Sequence, residues 1–137
     1  MVESVLITEW VLNVDVEQTK SAYEAIAQPN QSEACRNFVI ACNELEQVVL
    51  DFAKRLAIDL SKPSQLSSHR VEGNSAAMYS GQYHIIGEVV EGDIDGWDVI
   101  VGEHCFSLTA EFTHVPSTMP KNIIEISFEV VLPWVLD

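Results

Sequence analysis

Basic residues are scarce in this sequence. Its 137 residues include 7 lysines and arginines against 21 aspartates and glutamates, for a formal net charge of −14. A surface of this charge repels the phosphates of nucleic acids and anionic membranes, and it speeds the encounter with a basic partner. We therefore predict that the chain binds neither nucleic acid nor membrane. Acidity that serves only solubility or salt adaptation is the competing interpretation.

Long apolar runs are also absent, and no stretch approaches the roughly 20 residues that a membrane-spanning helix needs. The N-terminus, MVESVLITEW, contains Glu3 and Glu9 and lacks the basic region and cleavage pattern of a secretory signal. An odd count of 3 cysteines without such a signal favours reduced thiols in a bacterial-type cytoplasm over a disulfide framework. We predict a soluble, cytoplasmic protein.

Familiar catalytic motifs are missing as well. The sequence contains no G-x-S-x-G, P-loop, G-x-G-x-x-G or H-E-x-x-H pattern. His69, His84, His104 and His114 lie on separate segments without the spacing of a metal site. We therefore expect no cofactor, no bound metal and no catalytic residue. Whether the protein is an enzyme stays open, with a non-enzymatic role favoured.

The cysteines fit a structural role better than a chemical one. Cys35 and Cys42 are seven residues apart on a predicted helix, about 10 Å along its axis, too far for a disulfide and wrong for one zinc ion. Cys42 falls on the apolar stripe and is predicted to be a buried thiol. Cys35 lies near the helix N-terminus beside Arg36, where a reactive thiol remains an alternative. Adjacent residues of a strand face opposite ways, so Cys105 cannot pair with the neighbouring histidine.

The first half of the chain predicts one strand and two helices. Residues 2–13 alternate in a β-like manner, with apolar side chains on both faces. Asp15, with Gln18 three residues later, predicts the cap of a short helix that ends before Pro29. Ser32 predicts the cap of a second helix of about seven turns. Its apolar stripe consists of Phe38, Cys42, Leu45, Val49, Phe52 and Leu56.

The second half predicts strands, in AMYSGQYHIIGEVV, twice in GDIDGWDVIVGEHCFSLTAEF, and in NIIEISFEVVLPWVL. In the last segment the apolar residues alternate with Glu125, Ser127 and Glu129, which we expect to face solvent, as one face of an antiparallel sheet often does. The pattern predicts a single α+β domain over residues 1–137. In it, two N-terminal helices, one of them long, pack on an antiparallel β-sheet with an N-terminal strand.

The stretch GEVVEGDIDGWD is strongly acidic. It is not an EF-hand loop, because the required ligand spacing fails after Asp95. One interpretation is a solvated hairpin turn. The other is an acidic and aromatic contact surface for a basic protein. On the second interpretation the partner-binding residues are Glu88, Glu91, Asp93, Asp95, Trp97 and Asp98, together with Glu125 and Glu129.

Several segments carry a resemblance: DVEQTKSAYEA, CRNF, LAIDLSKPSQL, YHIIGEVVEG and the ending FEVVLPWVL. Together they resemble a family of uncharacterised bacterial proteins with a C-x-x-C-R-N-F/Y segment, a GID-x-x-K-P helix end, a Y-H-F-V-G strand and a C-terminal PWVL. This sequence departs from that pattern at Ser32, where the family has its first cysteine, and at Ala57, where it has a glycine. If the family's cysteine pair binds metal, Cys35 is here only a remnant.

These observations favour a small acidic, non-enzymatic protein-binding protein. Its most concrete form is an immunity protein that neutralises a basic toxin or effector. The alternative is a small ligand-binding domain or enzyme with a pocket between the long helix and the sheet, using Cys35, His84 or His104. A homodimer also stays open, because the broad apolar helix stripe offers area for a second subunit.

Overall fold

The secondary structure is that of an α+β protein with a large antiparallel sheet, as predicted. The computed structural model describes residues 2–30, 32–70, 75–94, 96–97, 99–109, 116 and 122–136. The elements within this part are β1 (Val2–Ile7), β2 (Trp10–Asp15), α1 (Val16–Glu24), α2 (Glu33–Ala41), a 3₁₀ helix (Cys42–Glu44), α3 (Gln47–Leu56), β3 (Gln65–Arg70), β4 (Ala76–Glu91), β5 (Val99–Val101), β6 (His104–Thr109) and β7 (Ile123–Pro133).

The sheet is organised around β4, a strand of 16 residues. The strand order is β1-β2-β4-β7-β6-β5, and β3 also pairs with β4. One edge of β4 pairs with β7 over residues 76–86. Its other edge is divided, because β3 pairs with residues 77–82 and β2 with residues 87–91. A single strand therefore holds three others, all antiparallel.

Two glycines allow the divided edge to be approached closely. A Cβ atom at Gly81 would lie 1.9 Å from the carbonyl oxygen of Gln65 in β3. A Cβ atom at Gly87 would lie 2.0 Å from the carbonyl oxygen of Asn13 in β2. Because both obstacles are backbone atoms, no side-chain adjustment can make room. Glycine is thus required where β3 and β2 meet β4.

Groups outside the ladders bond to this edge at both ends of the gap between β3 and β2. The Ile86 amide donates a hydrogen bond of 3.0 Å to the hydroxyl of Thr19, which α1 places against the sheet. The carbonyl of Gln82 accepts a bond of 2.7 Å from the Ser64 amide. Because an unpaired buried backbone group is costly, these bonds fix α1 and the segment before β3 against the sheet.

The core lies between the helices and one face of the sheet. The ring of Phe52 in α3 stacks on Phe106 in β6 with centroids 4.3 Å apart, and Phe38 in α2 meets Tyr79 in β4 edge-on at 5.1 Å. Such ring pairs contribute beyond the area they bury. The predicted inward face of β7 is confirmed, since these residues are all buried: Ile124, Ile126, Phe128, Val130 and Leu132.

The prediction of one seven-turn helix is wrong. The helical stretch is broken by the 3₁₀ helix and by Leu45 and Glu46, whose ψ angles of 156° and 148° are extended. A continuous helix over residues 33–56 would be about 36 Å long. Because sheets twist, one straight helix follows a sheet over only part of that length. The break lets α2 and α3 each lay an aromatic residue on the sheet.

The described helices are short, and α3, at 10 residues, is the longest of them. None of the helices in the described ranges is long and apolar enough to cross a membrane. The end of α3 is marked by Ala57, which has a left-handed φ of 60°. Glycine adopts this conformation most readily, so alanine at this position is under backbone strain.

Two strand predictions also need correction. The N-terminal strand is a hairpin, in which β1 and β2 pair across a turn at Thr8 and Glu9. That turn lacks the Asn-Gly or Asp-Gly pair that makes a hairpin visible in a sequence. The strand β3 was not predicted, because its sequence QLSSHR has too few apolar residues to alternate. It forms because β4 offers it a backbone ladder.

Candidate functional site

The predicted acidic stretch lies at the end of β4 that extends beyond β7. The last pair between those strands is Ile86 with Ile123. Beyond it the side chains turn outward, and we call the exposed group the β4-end surface. Asp95 and Asp98, also predicted as contacts, lie outside the described residues. The β4-end surface consists of Glu88, Val89, Val90, Glu91, Asp93, Ile94 and Trp97.

Three apolar side chains of the β4-end surface are about half exposed. Val90 is 53% exposed, Ile94 45% and Trp97 46%. Exposed apolar side chains are ordinary when scattered singly, but a group of them framed by charge is typical of a contact site. Glu88, Glu91 and Asp93 are exposed in the same stretch. That these residues form a contact site for a partner stays a prediction.

Glu129, another predicted contact residue, lies elsewhere. It is exposed and pairs in register with Ser80 of β4. Ser80 is eight residues from Glu88 along the strand, which corresponds to about 26 Å. Glu129 is therefore not part of the β4-end surface.

Glu125 is buried, so the prediction that it faces solvent is wrong. Its side chain is 2% exposed, and that of Ser127 is 8% exposed. Glu125 lies directly opposite His84 in the β4–β7 ladder and opposite Thr109 in the β6–β7 ladder. This position explains the burial, because a charged side chain inside a protein requires hydrogen-bonding partners. The alternation of β7 alone could not reveal those partners.

These partners form a chain of short hydrogen bonds. His84 Nε2 is 2.8 Å from Glu125 Oε1, and His84 Nδ1 is 2.6 Å from Ser64 Oγ. The hydroxyl of Thr109 donates to Glu125 Oε2 at 2.5 Å. The partners fit a tautomer in which Nε2 donates to Glu125 and Nδ1 accepts from the Ser64 hydroxyl.

The order serine, histidine, carboxylate resembles the arrangement that activates a nucleophile. Acyl transfer also needs a donor for the developing oxyanion. The backbone amide of Ser64 itself is engaged, because it donates to Gln82 O at 2.7 Å. We therefore interpret the chain of bonds as a structural connection that joins the segment before β3 to β4, β7 and β6.

Glu125 and Glu129 lie on the same strand and give a matched pair for testing this interpretation. We expect Glu125→Ala to lower the free energy of unfolding by at least about 3 kcal/mol, because it leaves His84 buried without its carboxylate. Glu129→Ala should change it by no more than about 0.5 kcal/mol. Urea denaturation of both variants is the measurement, and equal stabilities would contradict the network.

His104 lies on the opposite face of the sheet from His84. It pairs with Val130 of β7, whereas His84 pairs with Glu125, and positions an odd number apart in a strand face opposite ways. His69 is exposed on β3, and His114 lies outside the described residues. Within the described ranges, no group of three or more potential metal ligands comes together.

The environment of His104 is apolar. Its ring is 1% exposed and lies parallel to Phe106 with centroids 5.4 Å apart. Neither ring nitrogen has a hydrogen-bond partner in the described part of the chain. Burial lowers the pKa of His104 to about 4, because the charged imidazolium would lose its hydration. The side chain is thus neutral at physiological pH.

The low pKa of His104 predicts a pH-dependent stability. Between pH 6.5 and pH 4 the unfolded chain binds a proton at this residue that the folded chain does not, so the free energy of unfolding falls as the pH falls through that window. The loss is about 3 kcal/mol. In His104→Phe this contribution is absent. Urea denaturation at both pH values measures it, and parallel losses in variant and parent would refute the assignment.

The cysteines show no sign of a chemical site. Cys42 is 8% exposed, and burial raises its pKa to about 12, so the predicted buried thiol is confirmed. Its Sγ lies 3.7 Å from the carbonyl oxygen of Leu60. Cys35 is half-buried, and its amide donates to the capping hydroxyl of Ser32 at 3.2 Å. Cys105 lies opposite Glu129 on the face away from the helices.

The segments that carry the family resemblance meet one another in the fold. The buried Asn37 of CRNF donates to the carbonyl of Pro133 at 3.1 Å and accepts from the amide of Val135 at 2.6 Å. Likewise, Tyr83 of the YH segment donates to the carbonyl of Leu60 at 2.7 Å. These hydrogen bonds join CRNF to the C-terminal segment, and the YH segment to the turn after α3, so these motifs have a structural role.

Comparison of the chain with protein-family models, with curated proteins and with solved structures finds no match. The resemblance to the bacterial family stays a prediction.

Proposed function

We propose that this chain is a small acidic, non-enzymatic protein-binding protein that engages a basic partner through the β4-end surface. The observation that supports this most is the exposure of Val90, Ile94 and Trp97 within an acidic frame. In its most concrete form the protein is an immunity protein of the bacterial cytoplasm that neutralises a basic toxin or effector.

The acidic residues of the β4-end surface have no basic residues near them in the sequence. No lysine or arginine occurs between Arg70 and Lys121, although this segment contains the acidic residues of the surface. Salt screens a negative potential there, with a screening length of about 8 Å at physiological ionic strength. A basic partner is attracted to this part of the molecule, and an acidic one is repelled.

The two kinds of side chain have separate roles in this proposal. Aromatic and aliphatic anchors at the centre of an interface supply most of the binding energy, and Trp97 is the candidate anchor. Charges at the rim, here Glu88 and Glu91, mainly raise the association rate and select the sign of the partner. Affinity and rate are therefore expected to respond to different substitutions.

The proposal predicts binding between the purified chain and a small basic protein encoded beside its gene. Glu88→Lys with Glu91→Lys should lower the association rate constant about tenfold at low ionic strength. The control is Glu33→Lys with Asp51→Lys, which alters the net charge equally on the exposed helix surface. Stopped-flow or surface-based kinetics over a salt series measure both variants.

Two outcomes would contradict the proposal. If both double variants slow association equally, net charge and not the β4-end surface determines the rate. If the gene has no basic neighbour, and no basic protein binds the parent chain at low salt, the immunity assignment fails.

A second candidate is a ligand-binding domain or enzyme with a pocket between the helices and the sheet. A pocket of about 230 Å³ lies there, lined by parts of α2, α3, β6 and β7. The observation in its favour is His104, which lines this pocket with both ring nitrogens unpartnered in the described part of the chain. A ligand that supplies those partners would alter the pH dependence described for His104.

A further inference from the structure

A further concavity, on the helical side of the molecule, shares no residue with the two sites above. It is a pocket of about 640 Å³ between α1, α3 and the segment of residues 57–62. This volume falls in the range of small-molecule sites, which are mostly apolar with a few convergent polar groups. Its apolar wall consists of Val16, Leu50, Ala53, Ile58 and Leu60.

Cations gather at this pocket, although the chain has few of them. Three of the 7 lysines and arginines, Lys20, Lys54 and Lys62, line it. Lys62 is engaged, because its Nζ donates to the carbonyl of Tyr23 at 2.9 Å. Lys20 and Lys54 are exposed and have no side-chain hydrogen bond or ion pair within the described ranges. The chain has three times as many acidic residues as basic ones. Two exposed lysines at one pocket of this chain therefore favour an anionic ligand.

Two carboxylates also line the pocket. Asp59 accepts hydrogen bonds from the amide and the hydroxyl of Ser61, at 3.1 and 2.7 Å, and lies 4.0 Å from Lys62. Its charge is therefore already compensated. Glu24 is exposed, so water solvates it. The three lysines outnumber these two acids, and the pocket is cationic on an otherwise acidic protein.

Tyr23 is the aromatic residue of the pocket lining, and its hydroxyl is buried. This side chain lines the pocket and is 3% exposed. Burial raises its pKa, so the hydroxyl keeps its proton and remains a donor. It finds no acceptor among the described residues. The backbone of His84 hydrogen-bonds to this hydroxyl and opposes the rise of its pKa, so the preference of the pocket for an anion rests on the lysines.

We propose that this pocket binds an amphipathic carboxylate, a molecule with one anionic head and an apolar body of fatty-acid type. The head lies near Lys20 and Lys54, and the body packs on the apolar wall. This site is independent of the β4-end surface and goes beyond the function proposed above. Either proposal can fail without the other, because their residues do not overlap.

Decanoate and decanol are suitable probes, since they share a chain and differ in the charged head. Isothermal titration of the full chain should show decanoate binding about tenfold more tightly than decanol. Lys20→Gln with Lys54→Gln should remove that difference and leave decanol unchanged. The control, Arg36→Gln with Arg70→Gln, loses the same charge outside the pocket and should keep the preference.

The proposal is overturned if decanoate and decanol bind equally to the parent chain, or if decanoate does not bind. It is also overturned if both double variants reduce decanoate binding equally, because the effect would then be one of net charge. Amide NMR spectra of each variant establish that it is folded, and shifts at Leu50 and Ile58 on adding decanoate would place the ligand in this pocket.

Discussion

The backbone of β4 is the constraint on which the rest of the structure depends. Each of its edges must find partners along 16 residues, and no single strand does so on the divided edge. Gly81 and Gly87 permit the close approach of β3 and β2, and Thr19 completes the hydrogen bonding between them. The hydrogen bond from Ile86 to Thr19 fixes the position of α1. It therefore also fixes Lys20, which α1 contributes to the pocket lined by lysines.

The same strand passes from a buried environment to an exposed one within a few residues. His84 and Ile86 are covered, whereas residues 88–91 are exposed. The change occurs where β7 ends its pairing at Ile123. The part of the β4-end surface that lies within β4, residues 88–91, is held by the pairing of β4 with β2. Binding residues held on a strand keep their geometry better than those on a loop, which lowers the entropy lost on association.

Local patterns in the sequence predicted what depends on local chemistry. The Asp15 cap starts α1 as expected, with its carboxylate accepting from Gln18, and the apolar alternation of β7 locates its core face. The burial of Glu125 could not be predicted, because it depends on the register that places His84 on a neighbouring strand. The break at Leu45 likewise reflects packing against the sheet, since neither proline nor glycine marks it. The exposed acidic stretch was predictable, whereas the lysine-lined pocket needed three separated segments to be assembled.

The pairing of β4 with β7 also has a kinetic consequence. Of the paired residues in this ladder, Ile86 and Ile123 have the smallest separation along the chain, 37 residues. Ala76 and Pro133 have the largest, 57 residues. Closing loops of this length costs chain entropy before the contacts form, and such non-local sheets fold slowly. The hairpins β1–β2 and β5–β6 are local and can form early. The centre of the sheet, with its aromatic core, is therefore completed last, and its apolar strands are exposed to aggregation until then.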